Sequence, residues 1–246
     1  MAFKDHFSRQ ATDYAASRPS YPPALLAWLA GQCARRDLVW DAGCGSGQAS
    51  VALGGHFARV EASDPSREQL AGAVAHPGLR YHVAAEQLPA LADGTVDLIT
   101  AAQAYHWFDQ AAFAAEARRV AAHDSVLAVW TYNLPAVDTG IDAVVAALYD
   151  DLGPWWPPER RHVEDGYAHL PLPGRPLPAP PFVMAAAWDL PRFVGYLASW
   201  SAVAACRAGS GHDPLAAGKR ELASAWGPSA RSRLVSWPLT VRAARL

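Results

Sequence analysis

Asp41, Gly43, Gly45, Gly47 and Asp64 form the pattern in this chain that points most directly to ligand chemistry. Residues 38–47 read Leu-Val-Trp-Asp-Ala-Gly-Cys-Gly-Ser-Gly, an apolar run that ends in an acid and then in three glycines at alternate positions. An alanine-rich stretch from Gln48 to Phe57 follows. Glycine is required where the backbone turns with positive φ or where a ligand must touch it. The order predicts a strand, a tight turn and a helix whose first N–H groups are free to meet a ligand. Such a turn also serves elsewhere as a plain connector, and a lone G-x-G-x-G does not decide between the two. The second acid does more. Arg59 to Ser63 alternates apolar and polar residues and ends in Asp64, seventeen positions after Gly47. An acid at the end of a second strand is placed to accept both hydroxyls of a ribose. Pro65 follows it, and Ser66 has the character of a helix N-cap.

Two ligand classes use this arrangement. A dinucleotide site carries G-x-G-x-x-G and sets a helix start against a pyrophosphate. Here the spacing is G-x-G-x-G, and Asp41 stands two residues before the first glycine. A carboxylate so close would repel a pyrophosphate and suits a ligand with an ammonium group and no phosphate. S-adenosylmethionine, with its amino-acid tail, sulfonium and adenosine, fits that description. An NAD-dependent oxidoreductase is the competing enzyme class, and a protein that binds the cofactor without turnover is the non-enzyme alternative. Comparing affinity for the two cofactors separates the first, and a turnover assay the second.

Asp41-Ala-Gly-Cys-Gly-Ser-Gly47 resembles motif I of class I S-adenosylmethionine-dependent methyltransferases. Ala85-Glu86-Gln87-Leu88-Pro89 resembles the segment beside the adenine, and Gly94 to Ile99 leads into a fourth strand as in that family. Gln103-Ala-Tyr-His106-Trp107-Phe108 is similar to the active-site segment of the trans-aconitate-methyltransferase-like, small-molecule subgroup. So are the opening residues, with Tyr14, Arg18 and Tyr21, and Gly195 to Ala202 around Trp200. The resemblance implies a doubly wound, seven-stranded, mostly parallel sheet with its last strand antiparallel. It implies one domain over 1–246, with a cofactor core at about 36–131 and substrate-covering parts at 1–35 and 135–225. Implied cofactor contacts are Tyr14, Arg18, Asp41, Gly43, Gly45, Gly47, Asp64, Pro65, Ser66, Ala85, Glu86 and Gln103. Tyr21, Trp107 and Trp200 are the implied acceptor contacts, and S-adenosyl-L-homocysteine is the implied product. The chain departs from the family at Ala122-His-Asp-Ser125, where a Pro-Gly-Gly turn is usual.

Methyl transfer needs the nucleophile in line with the bond that breaks. A base is needed only where the acceptor must lose a proton. His106, with an ordinary pKa near neutrality, is the candidate base or orienting group. The competing reading makes it a packing residue between aromatics. Arg18 is suited to a bidentate contact with a carboxylate, of the cofactor or of an acidic substrate. Trp107 and Trp200 read as pocket wall or core, since ten tryptophans cannot all serve a site.

The elements that must position these groups follow from periodicity. Strand and helix patterns alternate over 38–42, 46–57, 59–63, 66–75, 79–83, 96–101, 109–121 and 125–131, which predicts a parallel doubly wound sheet. A helix over 141–152, helices over about 190–206 and 213–225, and strands over 182–188 and 234–241 complete the reading. Residues 153–181 hold nine of the twenty prolines and an aromatic cluster, Trp155, Trp156 and Tyr167, and are predicted as a loop. With 246 residues, half of them hydrophobic, and a net charge of −2, the chain has a sizeable core and no basic excess for nucleic acid. No apolar stretch reaches membrane length, and the opening residues are not those of a signal peptide. Three scattered cysteines, Cys33, Cys44 and Cys206, suit a reducing cytoplasm and no metal site.

Overall fold

The computed structural model describes residues 19–246. Tyr14 and Arg18 lie outside the described residues. Eight strands join in one sheet in the order β3-β2-β1-β4-β5-β8-β6, and β7 also pairs with β8. The strands are β1 (Leu38–Ala42), β2 (Arg59–Asp64), β3 (Leu79–Val83), β4 (Val96–Ala102), β5 (Ala121–Tyr132), β6 (Arg175–Leu177), β7 (Phe182–Trp188) and β8 (Arg233–Arg245). β1 to β5 are parallel, and β8 runs antiparallel to β5, β6 and β7. The sheet thus has one short strand more than expected, and its last strand is antiparallel as expected.

Every residue of β1 is buried, and all but the last of β4. Continuous apolar runs of this kind fit parallel strands with a layer packed on each face. One core layer joins Leu25, Leu29, Val39, Trp130 and Phe193. The other joins Trp40, Ile99, Phe113, Val129 and Tyr167. The helices are α1 (Pro23–Gln32), α2 (Gln48–Leu53), α3 (Arg67–Ala71), α4 (Gln110–Val120), α5 (Thr139–Asp151), α6 (Arg160–Glu164), α7 (Leu190–Ala198), α8 (Ser201–Ser210) and α9 (Leu215–Trp226). Several begin on side-chain caps. Ser66 accepts from Gln69 N, Asp109 from Ala111 N and Ala112 N, and Asp138 from Gly140 N and Ile141 N.

Three stretches differ from the sequence reading. Residues 153–181 are not all loop. Gly153–Trp155 forms a 3-10 turn, α6 follows, and β6 adds to the sheet. Pro176 is tolerated because β6 is an edge strand, where a missing N–H breaks no ladder. The helix expected over 190–206 breaks at Ser199 and Trp200. The Ser199 hydroxyl donates to Tyr196 O, and Trp200 takes an extended backbone that turns its ring into the core. At the departure from Pro-Gly-Gly, Val96 pairs with Ala121 and Leu98 with Val126, so residues 122–125 bulge from the strand. Asp124 there has φ +63°, and Arg245 holds it, donating to Asp124 O at 2.8 Å and pairing with its carboxylate at 3.0 Å.

The entry to β1 hangs on one buried acid. Asp97 Oδ2 accepts from Asp37 N at 2.8 Å and Leu38 N at 3.1 Å, and Oδ1 accepts from Arg35 Nε and Nη2 at 3.2 and 3.1 Å. Asp97→Ala strands two backbone donors and is expected to cost about 2–3 kcal/mol, with Tm lower by roughly 5–10 °C. Denaturant and thermal unfolding check this, and an unchanged midpoint would remove the clamp.

Candidate cofactor and acceptor site

A cavity of about 920 Å³ opens at the carboxyl ends of β1, β2 and β4, where a doubly wound sheet binds ligands. Among the described residues its lining brings together Tyr21, Gly43, Gly45, Asp64, Pro65, Ser66, Ala85, Glu86, Gln103 and Trp107, all singled out from the sequence. Gly45 shows what the turn is for. Its φ is +56°, and a Cβ there would meet nothing closer than Gln69 Oε1 at 3.8 Å, so the side chain it lacks would project into the cavity. Gly43 differs: a Cβ would lie 2.5 Å from Ala104 Cβ, so this glycine lets the turn pack on the end of β4. Asp64 Oδ2 accepts from Gly45 N and Oδ1 from Ser66 N, each at 2.8 Å. The carboxylate ties the turn to the start of α3 and keeps further acceptor capacity on the cavity wall.

Asp41 and Gly47 stand behind this wall. Gly47 has φ +83° and precedes α2. Asp41 is fully buried. Its Oδ2 accepts from Ser50 Oγ at 2.5 Å and its Oδ1 from Thr100 Oγ1 at 2.8 Å. It joins β1, α2 and β4, and its carboxylate is turned into protein. Burial pushes its pKa up to about 6, against the opposing hydroxyl hydrogen bonds, and the Asp64 charge adds to the rise.

A second chamber of about 60 Å³ adjoins the cavity and shares Gln103, Trp107 and Tyr132 with it. His106, Trp156, Arg160, Tyr196 and Trp200 complete most of its wall. Gln103 holds the junction with φ +55°, unusual for a side-chain-bearing residue. Its amide is tied to β5: Oε1 accepts from Thr131 Oγ1 at 2.7 Å and Tyr132 N at 2.9 Å, and Nε2 donates to Tyr132 O at 3.1 Å. Thr131 thereby spends its one proton. His106 Nδ1 lies 2.8 Å from Tyr167 Oη. Burial drives the His106 pKa down to about 3, and the positive charge of Arg160 pushes the same way. His106 is therefore neutral near pH 7 and a weak base, suited to accepting a hydrogen bond.

Of the cofactor candidates among the described residues, the structure gathers all but Asp41 and Gly47 around one cavity, and it puts His106 and Trp200 in the side chamber. Arg160, Tyr196 and the role of Tyr167 were not read from the sequence. The aromatic cluster around Trp156 was the available signal, since an arginine four residues after a Trp pair has planar faces to stack on. Among the described residues no group of three His, Cys, Asp or Glu side chains is placed to hold a metal ion, and no helix is long and apolar enough to cross a membrane.

The fold and site define a doubly wound protein that takes a nucleoside-bearing cofactor at its strand ends. Comparison with known proteins supplies the family. The family described as Methyltransferase domain matches residues 40–129. A methyltransferase of Dictyostelium discoideum is 31% identical over 229 residues, 91% of this chain and 87% of its own. A Mycobacterium tuberculosis methyltransferase is 40% identical over 111 residues, 44% of each chain. A solved structure from Anaeromyxobacter dehalogenans, described as a type II methyltransferase, is 47% identical with a TM-score of 0.86, over 93% of this chain and 97% of its own. The chain belongs to the S-adenosylmethionine-dependent methyltransferases. The residues present suit that cofactor: a cradle that a Cβ at Gly45 would fill, and carboxylates at Asp64 and Glu86 on its wall.

Two outcomes follow. Gly45→Val should lower affinity for S-adenosylhomocysteine more than a hundredfold while the protein still folds, with a loss of about 1–2 kcal/mol for the left-handed backbone; normal affinity by calorimetry would make the turn a connector. Asp41 holds its proton in the folded state between its ordinary pKa of 3.8 and about 6, where the unfolded chain has lost it. Its contribution to stability is thus full at low pH and falls as pH rises from about 4 to 6. Unfolding free energies of wild type and Asp41→Asn, measured across that window, should converge toward low pH and separate above it in the variant's favour.

Proposed function

We propose that this methyltransferase acts on an oxygen of a small molecule, and that the acceptor is a carboxylate. The observation that carries the reading is His106, the imidazole of the side chamber, which burial and a neighbouring cation hold neutral and weakly basic. An acceptor hydroxyl with a high pKa would need a stronger base, whereas a carboxylate arrives ionised at neutral pH. When bound, S-adenosylmethionine supplies an electrophilic methyl group on a sulfonium sulfur. The chain's own residues do the rest. The glycine turn and Asp64 fix where the cofactor lies. Trp107, Tyr132 and Gln103, common to cavity and chamber, form the passage between donor and acceptor. Aromatic walls at Trp156, Tyr196 and Trp200 exclude water and align the acceptor, which is most of what this reaction asks of a protein. We place the whole activity in this chain, with 135–225 covering the acceptor.

A screen of small acids and phenols, scored by S-adenosylhomocysteine release, tests the class. With an acceptor in hand, kcat/KM should be level from about pH 6 to 9, and His106→Asn should lower it by no more than about tenfold. A limb near pH 7 that disappears in the variant would make His106 a working base and the acceptor a hydroxyl.

A further inference from the structure

Among the described residues the wall of the large cavity carries four carboxylates, Asp64, Glu86, Asp109 and Glu159, and no arginine, lysine or histidine. Three of them are accounted for by their elements. Asp64 ends β2 and Glu86 follows β3, and the sheet order sets β1 and β4 between them and the end of β5, where Tyr132 borders the passage. Strands lie about 4.8 Å apart, so these two acids serve the far end of the cavity. Asp109 is turned to α4, where its Oδ1 accepts from Ala111 N and Ala112 N at 3.0 Å each. Glu159 is different. The chain runs along the boundary of the two compartments at 157–160: Pro157 and Arg160 line the chamber, while Glu159 lines the cavity. Arg160 is held on its side by donating from Nε to Tyr149 Oη at 2.9 Å and from Nη2 to Asn133 Oδ1. Glu159 is half-buried, and its Oε2 is shielded from solvent. Two opposite charges adjacent in sequence thus stand in different compartments, the negative one at the passage end of the cavity.

The two forms of the cofactor differ in charge at one atom. The donor carries a sulfonium. When the methyl group leaves, the carbon–sulfur bonding pair stays on sulfur, which becomes a neutral thioether. A carboxylate near that atom attracts the first form and not the second, and a half-buried position screens the attraction less than bulk water does. The attraction fades as the charge leaves sulfur, so it acts on the choice of cofactor and not on the barrier. We propose that Glu159 is a specificity residue that makes the site prefer the charged methyl donor over its neutral product. The inference rests on the reading of the passage as the route of the methyl group, which puts the sulfonium at that end of the cavity. It adds that discrimination between fresh and spent cofactor resides in a residue outside the cofactor motifs.

The test is calorimetry on the full chain with S-adenosylmethionine, S-adenosylhomocysteine and sinefungin, which bears an amine where the sulfonium methyl stands. Glu159→Gln should weaken S-adenosylmethionine and sinefungin fivefold or more and leave S-adenosylhomocysteine within twofold, which also shows that the variant is folded. Glu159→Asp, which keeps the charge, should retain most of the preference. Equal weakening of all three ligands, no weakening of any, or a loss confined to S-adenosylmethionine would overturn the proposal while cofactor binding stands. An acceptor found to be a hydroxyl would overturn the proposed acceptor and leave these ratios untouched. Failure of wild type to bind any of the three would instead remove the methyltransferase reading itself.

Discussion

The carboxylate of Asp41 has no access to water, and the site is assembled around it. A buried charge is costly unless hydrogen bonds hold it. Here the two hydroxyls that do so come from α2 and β4, while the acid itself ends β1. Satisfying this one group therefore fixes the helix after the glycine turn against the strand that leads to the side chamber. The turn between them has little freedom left. Asp64 then closes it from the other side by accepting Gly45 N. The cavity wall is a consequence of polar groups that cannot be left unpaired, more than of the apolar packing beneath it.

The side chamber is built on the same logic with neutral groups. Gln103 takes a left-handed backbone at the end of β4, which places its amide against Thr131 and Tyr132. The Tyr167 hydroxyl, 2.8 Å from His106 Nδ1, holds the imidazole in place. Strained backbone is kept where the surroundings over-determine it, and the junction of cavity and chamber is such a place.

What could be read beforehand divides along the same line. The glycine turn, Asp64 and the Ser66 cap are local: a few adjacent residues set backbone shape and hydrogen bonding, so spacing alone reveals them. The alternation of strands and helices was legible for the same reason, since each apolar face shows in its own period. Arg160 was not, because Tyr149 and Asn133 reach it from separate elements and no periodicity marks the meeting. Nor was the break at Trp200. Its neighbours all favour a continuous apolar helix, and a tertiary preference for burying the ring against Tyr149 and Trp156 overrode them. The bulge at 122–125 was visible only as a missing turn, because its hold on Arg245 spans about half of the chain.

β8 carries a consequence for how the molecule comes together. One of its edges pairs with β5 and the other with β7 and β6, so it joins the parallel strands to the antiparallel ones. Yet about a hundred residues separate the end of β5 from its start. During synthesis, the five parallel strands emerge with the outer edge of β5 open, and it stays open while the whole segment between β5 and β8 is made. That edge is apolar and fully buried once complete, the kind of surface that templates pairing with other chains. The nascent protein thus carries this open edge while about a hundred residues are made, and β8 is the strand that ends the exposure.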